Sequence, residues 1–501
     1  MIGVSLRTTS CSAVLLDPAG HVVARASAGY PLKRPHPGWS EQDPRQVRAA
    51  VRAVLREVAA AEVAPTGIAF SCTMHSLFPV ADDAGTPLAD AMTWQDARAT
   101  SMYRGLRADA DVNALYRRTG CPVHSTYHPQ RLRWWYRVDP ERAERARLWV
   151  GLKDWILHEL TGVWATDLSI ASTTGLLNLH SLDWDNEALR LAGISADQLP
   201  PLVSPAAVVG GLDAATAEAT GLPEGLPVVA GGSDGALASL GTGVAGPGQT
   251  VITVGTSGAV RKIVSEPWFD PGERTFCYLL TDTPEPLWFV GGAINNGGLT
   301  VQWIREKLYP DVVDDQAAWE KIMRDAARIE PGAEGVFLLP YFAGERSPHW
   351  APKDKGMFYG LGMQHNRAHF ARAALEGVAN CLADVWDSLY GSARSTDMVR
   401  LTGDITAWPL WVQILTDTLG IPMTALDLVD TQSMGAALLG MSALGEIRPD
   451  ELAAAVEPGP VYTPDPRTQQ VYRQHHREHR ALRRGLAQMS ETLENLKDSY
   501  L

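Results

Sequence analysis

Gln249-Thr250-Val251-Ile252-Thr253-Val254-Gly255-Thr256-Ser257-Gly258-Ala259-Val260-Arg261 reads as a strand that runs into a Gly-Thr-Ser-Gly turn and resumes at once as a second strand over 259–264. Two hydroxyls and several main-chain N–H groups meet at that turn, and such donors suit phosphate oxygens because small side chains permit close approach. In isolation the tetrapeptide reads better as a plain hairpin turn. A similar pattern stands at the start of the chain. An apolar strand over 2–6 turns polar at Arg7, Thr8, Thr9 and Ser10, resumes over 11–16, and returns over 21–26 after the turn Asp17-Pro18-Ala19-Gly20. Strand, Thr/Ser-rich turn, strand therefore occurs near the start of each half, with little identity between the copies.

Between these points, 44–61 has helical spacing, with Val47, Ala50, Val51, Val54, Leu55 and Val58 on one face, and 67–71 reads as a strand. Strands alternating with helices indicate an α/β fold with a largely parallel or mixed sheet. A short apolar strand over 228–231 leads into Gly231-Gly232-Ser233-Asp234-Gly235. Loops at the carboxyl ends of strands are where α/β proteins place ligands, which makes Asp234 the most informative carboxylate. Asp is equally favoured as the N-cap of a helix over 236–240, and position alone does not separate the two readings. The segment after Pro466 reads as a charged amphipathic helix packed on the second half.

The 501 residues exceed what one core usually serves, so two or three domains are expected. With 45% hydrophobic and 20% charged residues the chain is an ordinary globular one, not a disordered one. Lys plus Arg total 44 against 57 Asp plus Glu, a net charge of −13, which excludes nucleic acid and anionic membrane as general partners while leaving room for a local anion pocket. Cys11, Cys72, Cys121, Cys277 and Cys381 are dispersed and form no CxxC, so buried free thiols in a reducing cytoplasm are expected. No apolar stretch reaches the roughly 18 residues of a membrane helix.

Three further stretches are dense in polar groups: Ser71 to Ser76, Trp94-Gln95-Asp96-Ala97-Arg98, and Gly291 to Gly298 with Asn295 and Asn296 among its glycines. His75 alone is more often a structural histidine, and Trp94 alone is more often core. Gly241-Thr242-Gly243-Val244-Ala245-Gly246 matches G-x-G-x-x-G literally, yet it follows a helical segment and precedes Pro247-Gly248, so the dinucleotide context and a dehydrogenase reading both fail. No P-loop motif occurs. His475 and His479 are spaced to share a metal, but Arg473, Arg477, Arg480, Arg483 and Arg484 around them favour a solvated basic face.

Taken in order, these stretches resemble the FGGY family of carbohydrate kinases, in its gluconokinase-like branch. The resemblance runs through Phe70 to Leu77, Trp94 to Arg98, Gly151-Leu152-Lys153-Asp154-Trp155, Ser169 to Ser172 and the Asp234 turn. It continues through Gly175-Leu176, Val254 to Arg261, Gly291 to Gly298 with Gln302-Trp303, Leu339-Pro340-Tyr341, Gly344-Glu345-Arg346-Ser347-Pro348 and Ser433 to Ala437. The collinear set reverses the plain-turn reading of Gly255 to Gly258. The resemblance implies two actin-like (ribonuclease-H-like) α/β domains flanking a deep catalytic cleft, over residues 1–245 for the sugar and 246–501 for the nucleotide. It implies ATP and Mg²⁺ as cofactors, a small sugar or sugar acid as partner, and a homodimer. By position, Asp234 matches the general base, and a water-mediated metal contact is expected of it. Met74, His75, Trp94, Arg98, Lys153 and Asn295 match or adjoin the substrate side. Thr8, Thr9, Gly255, Thr256, Ser257, Gly298, Gln302, Gly403 and Asp404 match the ATP side. An aldonate such as gluconate is the first expectation, with Arg98 or Lys153 meeting its carboxylate; xylulose or another polyol is the second.

The first phosphate loop departs from the family pattern Asp-x-Gly-Thr-Thr-Ser-x-Lys. Ser5 stands for the acid expected near the metal, Arg7 for the glycine and Ser12 for the lysine, and Asp404 stands where a second glycine would follow Gly403. These departures frame two expectations: a kinase in which Arg7 reaches a phosphate in partial place of metal charge, or a catalytically weak or silent protein that keeps the sugar cleft.

Overall fold

Residues 2–29 fold as the hairpins their alternation requires. Strand β1 (Ile2–Leu6) pairs antiparallel with β2 (Ser10–Leu16), Leu6 opposite Cys11, and β2 pairs antiparallel with β3 (Val22–Gly29). The computed structural model describes residues 1–351, 354–391, 398–428, 430–448, 451, 456 and 459–498. Helix α1 (Pro44–Ala59) starts at Asp43, whose side chain accepts from the Arg45 N–H, and buries the predicted apolar face, Val47 to Val58, against β2 and β3.

Strand β4 (Ile68–Cys72) runs parallel to β1 with Leu6 level with Cys72. Strands β5 (Val208–Gly211) and β6 (Pro227–Ser233) complete a six-stranded sheet in the order β5-β6-β4-β1-β2-β3. The register of β6 against β4 slips between Val229 and Gly232. Gly231 makes the slip: its φ is +74°, and a Cβ there would lie 1.7 Å from the Phe70 carbonyl oxygen. Only glycine satisfies both conditions. The bulge brings Ser233 level with Cys72, at the carboxyl edge of the sheet, where α2 (Asp234–Leu240) begins.

A second sheet is built from the other half: β7 (Gln249–Val254), β8 (Gly258–Val264), β9 (Phe276–Thr281), β10 (Leu287–Ile294), β11 (Met398–Thr402), β12 (Met423–Ala425) and β13 (Val461–Tyr462), in the order β9-β10-β8-β7-β11-β12-β13. The run β10-β8-β7-β11-β12 pairs antiparallel, antiparallel, parallel, parallel, as does β3-β2-β1-β4-β6. The two halves thus share one topology, although their sequences scarcely match. Helices α3 (Gly298–Leu308) and α4 (Arg367–Tyr390) pack with the second sheet in its core.

Helix α5 (Thr431–Ala443) comes from the second half yet lies on β1, β4 and β2 of the first sheet and crosses α2. The crossing occurs at main-chain distance: a Cβ on Gly435 would be 1.8 Å from the Leu237 carbonyl oxygen, and one on Gly3 would be 2.0 Å from that of Ser433. Helix α6 (Pro466–Asp498) packs on α4 and on the helix Pro409–Leu419, as expected of the C-terminal segment. Its histidines correct the expectation of a solvated face. His475, His476 and His479 are buried while Arg473, Arg477, Arg480 and Arg484 point outward. Carboxylates on α4 explain the inversion: His476 Nε2 lies 2.9 Å from Asp384 Oδ1, and His475 Nδ1 lies 3.0 Å from Asn380 Nδ2, near Glu376. All five cysteines are free and buried. Among the described residues no helix is long and apolar enough to cross a membrane.

Candidate active site

The residue that opens α2 has been relieved of capping it. Ser233 is the N-cap, its side chain accepting from the Ala236 N–H, so the Asp234 carboxylate projects from the first helical position. It accepts the Gly235 N–H at 2.8 Å and the main-chain N–H of Met74. Burial raises its pKa above the ordinary carboxylate value, opposed by the guanidinium groups of Arg261, on β8, and Arg346. Among the described residues neither arginine closes an ion pair. The Nε of each is buried without a partner, and Arg261 donates only from Nη1, to Thr253 Oγ1 at 3.3 Å. Glu345, beside Arg346, is pushed up to about 8 by burial and is uncharged at neutral pH. The groove around Asp234 therefore holds surplus positive charge.

The Met74–His75 loop is fixed from behind. His75 has a φ of +71°, its Nδ1 donates to the Thr173 carbonyl at 2.9 Å, and burial holds the ring neutral. Arg131, fully buried, donates to the carbonyls of His75, Thr93 (2.6 Å) and Ser125 (3.4 Å), so one side chain ties the His75 loop to the Trp94 loop. Trp94 donates from Nε1 to Thr8 Oγ1 at 3.0 Å, and the Arg346 guanidinium faces its ring at 4.9 Å. Asn295 donates to the Ala343 carbonyl at 3.0 Å and leaves its Oδ1 unpartnered, whereas Asn296 bonds the same loop with both amide atoms.

Both cations expected to meet a substrate carboxylate are engaged elsewhere. Arg98 forks onto Asp96, reaches Glu41 at 2.6 Å and stacks 3.5 Å over Trp39, with its side chain 1% exposed. Lys153 is paired with buried Asp167 and donates to the Ala230 carbonyl at 3.0 Å, just before the β6 bulge. These two side chains brace the loops that hold the site.

On the other wall, the β7–β8 turn stacks against the start of α3. Gly298 donates to the Gly255 carbonyl at 2.6 Å, and Gly297 and Leu299 donate to that of Thr256 at 3.1 Å each. Thr256 itself is exposed. Gly403 has a φ of +98°, and a Cβ there would be 2.5 Å from the Val254 carbonyl, which brings Asp404 Oδ2 within 3.7 Å of the Cβ position of Gly255. Gly255, Thr256, Ser257, Gly298 and Gly403 are thus one cluster of main-chain groups, with the Asp404 carboxylate beside it. Gln302 is exposed and bonds Glu306 at 2.9 Å. The altered first hairpin is tied to the N-terminus of α5. Ser5 donates to Gln432 Oε1 at 3.0 Å, Arg7 donates to the same atom at 3.2 Å and pairs with Asp430, and the Ser12 and Ser433 hydroxyls lie 3.2 Å apart. Thr9 is exposed at the hairpin tip. Sequence reasoning overlooked Arg261, Arg346, Arg131, Asp430 and Gln432. The first two stand inside the quoted motifs, so the signal was present there as unassigned charge.

Comparison with known proteins bears on this arrangement. Residues 1–241 match the N-terminal domain of the FGGY family of carbohydrate kinases and residues 250–444 match its C-terminal domain. The chain is 34% identical over 455 residues to a gluconokinase of Bacillus subtilis, covering 89% of this chain and 88% of that protein. It superposes on a gluconate kinase from Lactobacillus acidophilus with a TM-score of 0.92 at 29% identity, covering 98% and 99% of the two chains. A ligand-bound xylulose kinase from Lactobacillus acidophilus gives 0.93 at 29% identity with the same coverage.

Proposed function

The chain belongs to the FGGY family of carbohydrate kinases, and from that premise we propose that it transfers the terminal phosphoryl group of ATP to a hydroxyl of a sugar acid, gluconate first, with Asp234 as the general base. Xylulose or another polyol is the second reading, favoured by the likeness to a xylulose kinase. The observation that supports Asp234 is its freedom: Ser233 does the capping, and the carboxylate is left between two unclosed guanidinium groups.

On this reading residues 1–245 hold the sugar and residues 246–501 the nucleotide. Met74, His75, Trp94 and Asn295 line the sugar side; the main-chain cluster at Gly255, Thr256, Gly298 and Gly403 faces the phosphates. Asp234 takes the proton of the attacking hydroxyl as the new P–O bond forms. Positioning and charge stabilisation dominate phosphoryl transfer, so Arg261 and Arg346 also help by keeping Asp234 ionised in a desolvated groove. Mg²⁺ would supply charge neutralisation on the nucleotide's phosphates. The residues present fit a water-mediated contact from Asp234 rather than a direct one: the Ser5 hydroxyl is donated to Gln432, Asp430 is paired with Arg7, and Asp234 already faces two cations.

The test is a coupled ADP-release assay across a panel of aldonates, ketoses and polyols, with Mg²⁺ present and absent. Sugar-dependent ADP release that requires Mg²⁺ is expected, highest with gluconate. Sugar binding by calorimetry with no ADP release from any of them would overturn the kinase reading in favour of a silent sugar-binding protein.

A further inference from the structure

Arg261 occupies space that a neighbouring side chain has vacated. Its Nε lies 3.1 Å from the point where a Cβ on Gly235 would stand, one residue beyond Asp234. The Phe289 ring and the Met74 methyl group lie 3.4 and 3.5 Å from the same point, so the guanidinium is walled by apolar groups that strengthen its field. Its Nε is buried without a partner, its single bond to Thr253 is long, and the residue as a whole keeps partial exposure. Buried Arg98, in the first half, is by contrast held by two carboxylates, Asp96 and Glu41. Arg261 also lies opposite Val251 on the β7–β8 ladder, three rungs below the Val254–Gly258 pair that carries the Thr256 turn, so it is set back from the main-chain cluster.

We propose that Arg261 binds the carboxylate of a sugar-acid substrate and thereby sets the preference of this site for aldonates over neutral sugars. The inference deepens the gluconate reading and rests on it for the identity of the ligand. A planar fork with free donors is the group best matched to a carboxylate. Arg261 and Arg346 both act on one carboxylate, Asp234, so an anionic substrate balances their charge where a neutral one leaves it positive.

The experiment compares Arg261→Met and Arg261→Lys with the parent protein, on gluconate against glucitol (the polyol that differs only at the charged end) and xylulose. The readouts are kcat and KM from ADP release and calorimetric binding of gluconate. Arg261→Met is expected to raise the gluconate KM by about 10- to 100-fold, the range of one charge-assisted pair, and to lower the gluconate-to-glucitol ratio of kcat/KM by a similar factor. Arg261→Lys is expected to recover part of that ratio. An equal loss on charged and neutral substrates, which leaves the ratio unchanged, would overturn the proposal and leave Arg261 only its effect on Asp234 ionisation or on the phosphoryl group. A parent protein that phosphorylates neutral sugars but neither binds nor uses gluconate sinks this inference and leaves the kinase reading standing. Arg261-dependent gluconate binding without any ADP release does the reverse.

Discussion

Ser233 and Asp234 divide two duties that the sequence leaves on one residue: the serine satisfies the helix terminus, and the aspartate keeps its carboxylate for the groove. Burial raises the Asp234 pKa, so the proton-accepting form is lost at a higher pH than for an exposed carboxylate. Turnover is therefore expected to fall as pH is lowered through that raised value. The stability effect has the opposite sign. The folded state binds this proton more tightly than the unfolded one, so between the ordinary and the raised value stability from Asp234 rises as pH falls. The rate should therefore fall across the acid range while the melting temperature of the parent rises relative to that of Asp234→Asn, and a relative melting temperature that falls with the rate would contradict this. At this scale the sequence was only half legible. Asp234 stands out by its glycine surroundings, and the Asp96 that holds Arg98 is two residues away in the same stretch, but Glu41 and the Asp167 that engages Lys153 are brought in by no local pattern.

The element that most constrains the molecule is the crossing of α2 and α5. Gly435 meets the Leu237 carbonyl, and a Cβ at Gly241 would lie 1.9 Å from the Thr431 carbonyl, so the two helices touch through their main chains. Gly435→Ala is expected to cost more than the ~1–3 kcal/mol typical of overpacking, because the obstacle is a carbonyl and not a movable side chain. Chemical denaturation reads this directly; a loss under about 1 kcal/mol would show that the helices separate easily. The strands and α1 were legible to within a few residues because alternation and helical spacing are local. Helix α6 was legible as a helix but not in its orientation. Its arginine stripe suggested solvent, whereas the buried Asp384 and Glu376 on α4 supply the partners that let three histidines pack inward.

Across the whole molecule, one topology occurs twice, and the groups proposed for the site divide between the copies. The carboxyl edge of the first sheet presents Asp234 at the end of β6; in the second sheet the β7–β8 hairpin, the counterpart of β1–β2, presents Thr256 and, below it, Arg261. Contacts across the halves hold the groove in register: Trp94 to Arg346, the first hairpin to Asp430 and Gln432, and α5 laid on β1. The duplicate was faint in the sequence because a shared pairing order needs only strands of similar length, not matching residues. The ordered run of motifs made the family legible, while the altered first loop found its explanation only in the ion pair to α5. The role of Asp234 is tested by Asp234→Asn, assayed for ADP release with the best substrate of the panel while gluconate binding is followed by calorimetry. The expected kcat is lower by about 10²–10⁴-fold with sugar affinity nearly retained. Sugar-dependent turnover that survives the substitution would contradict that role.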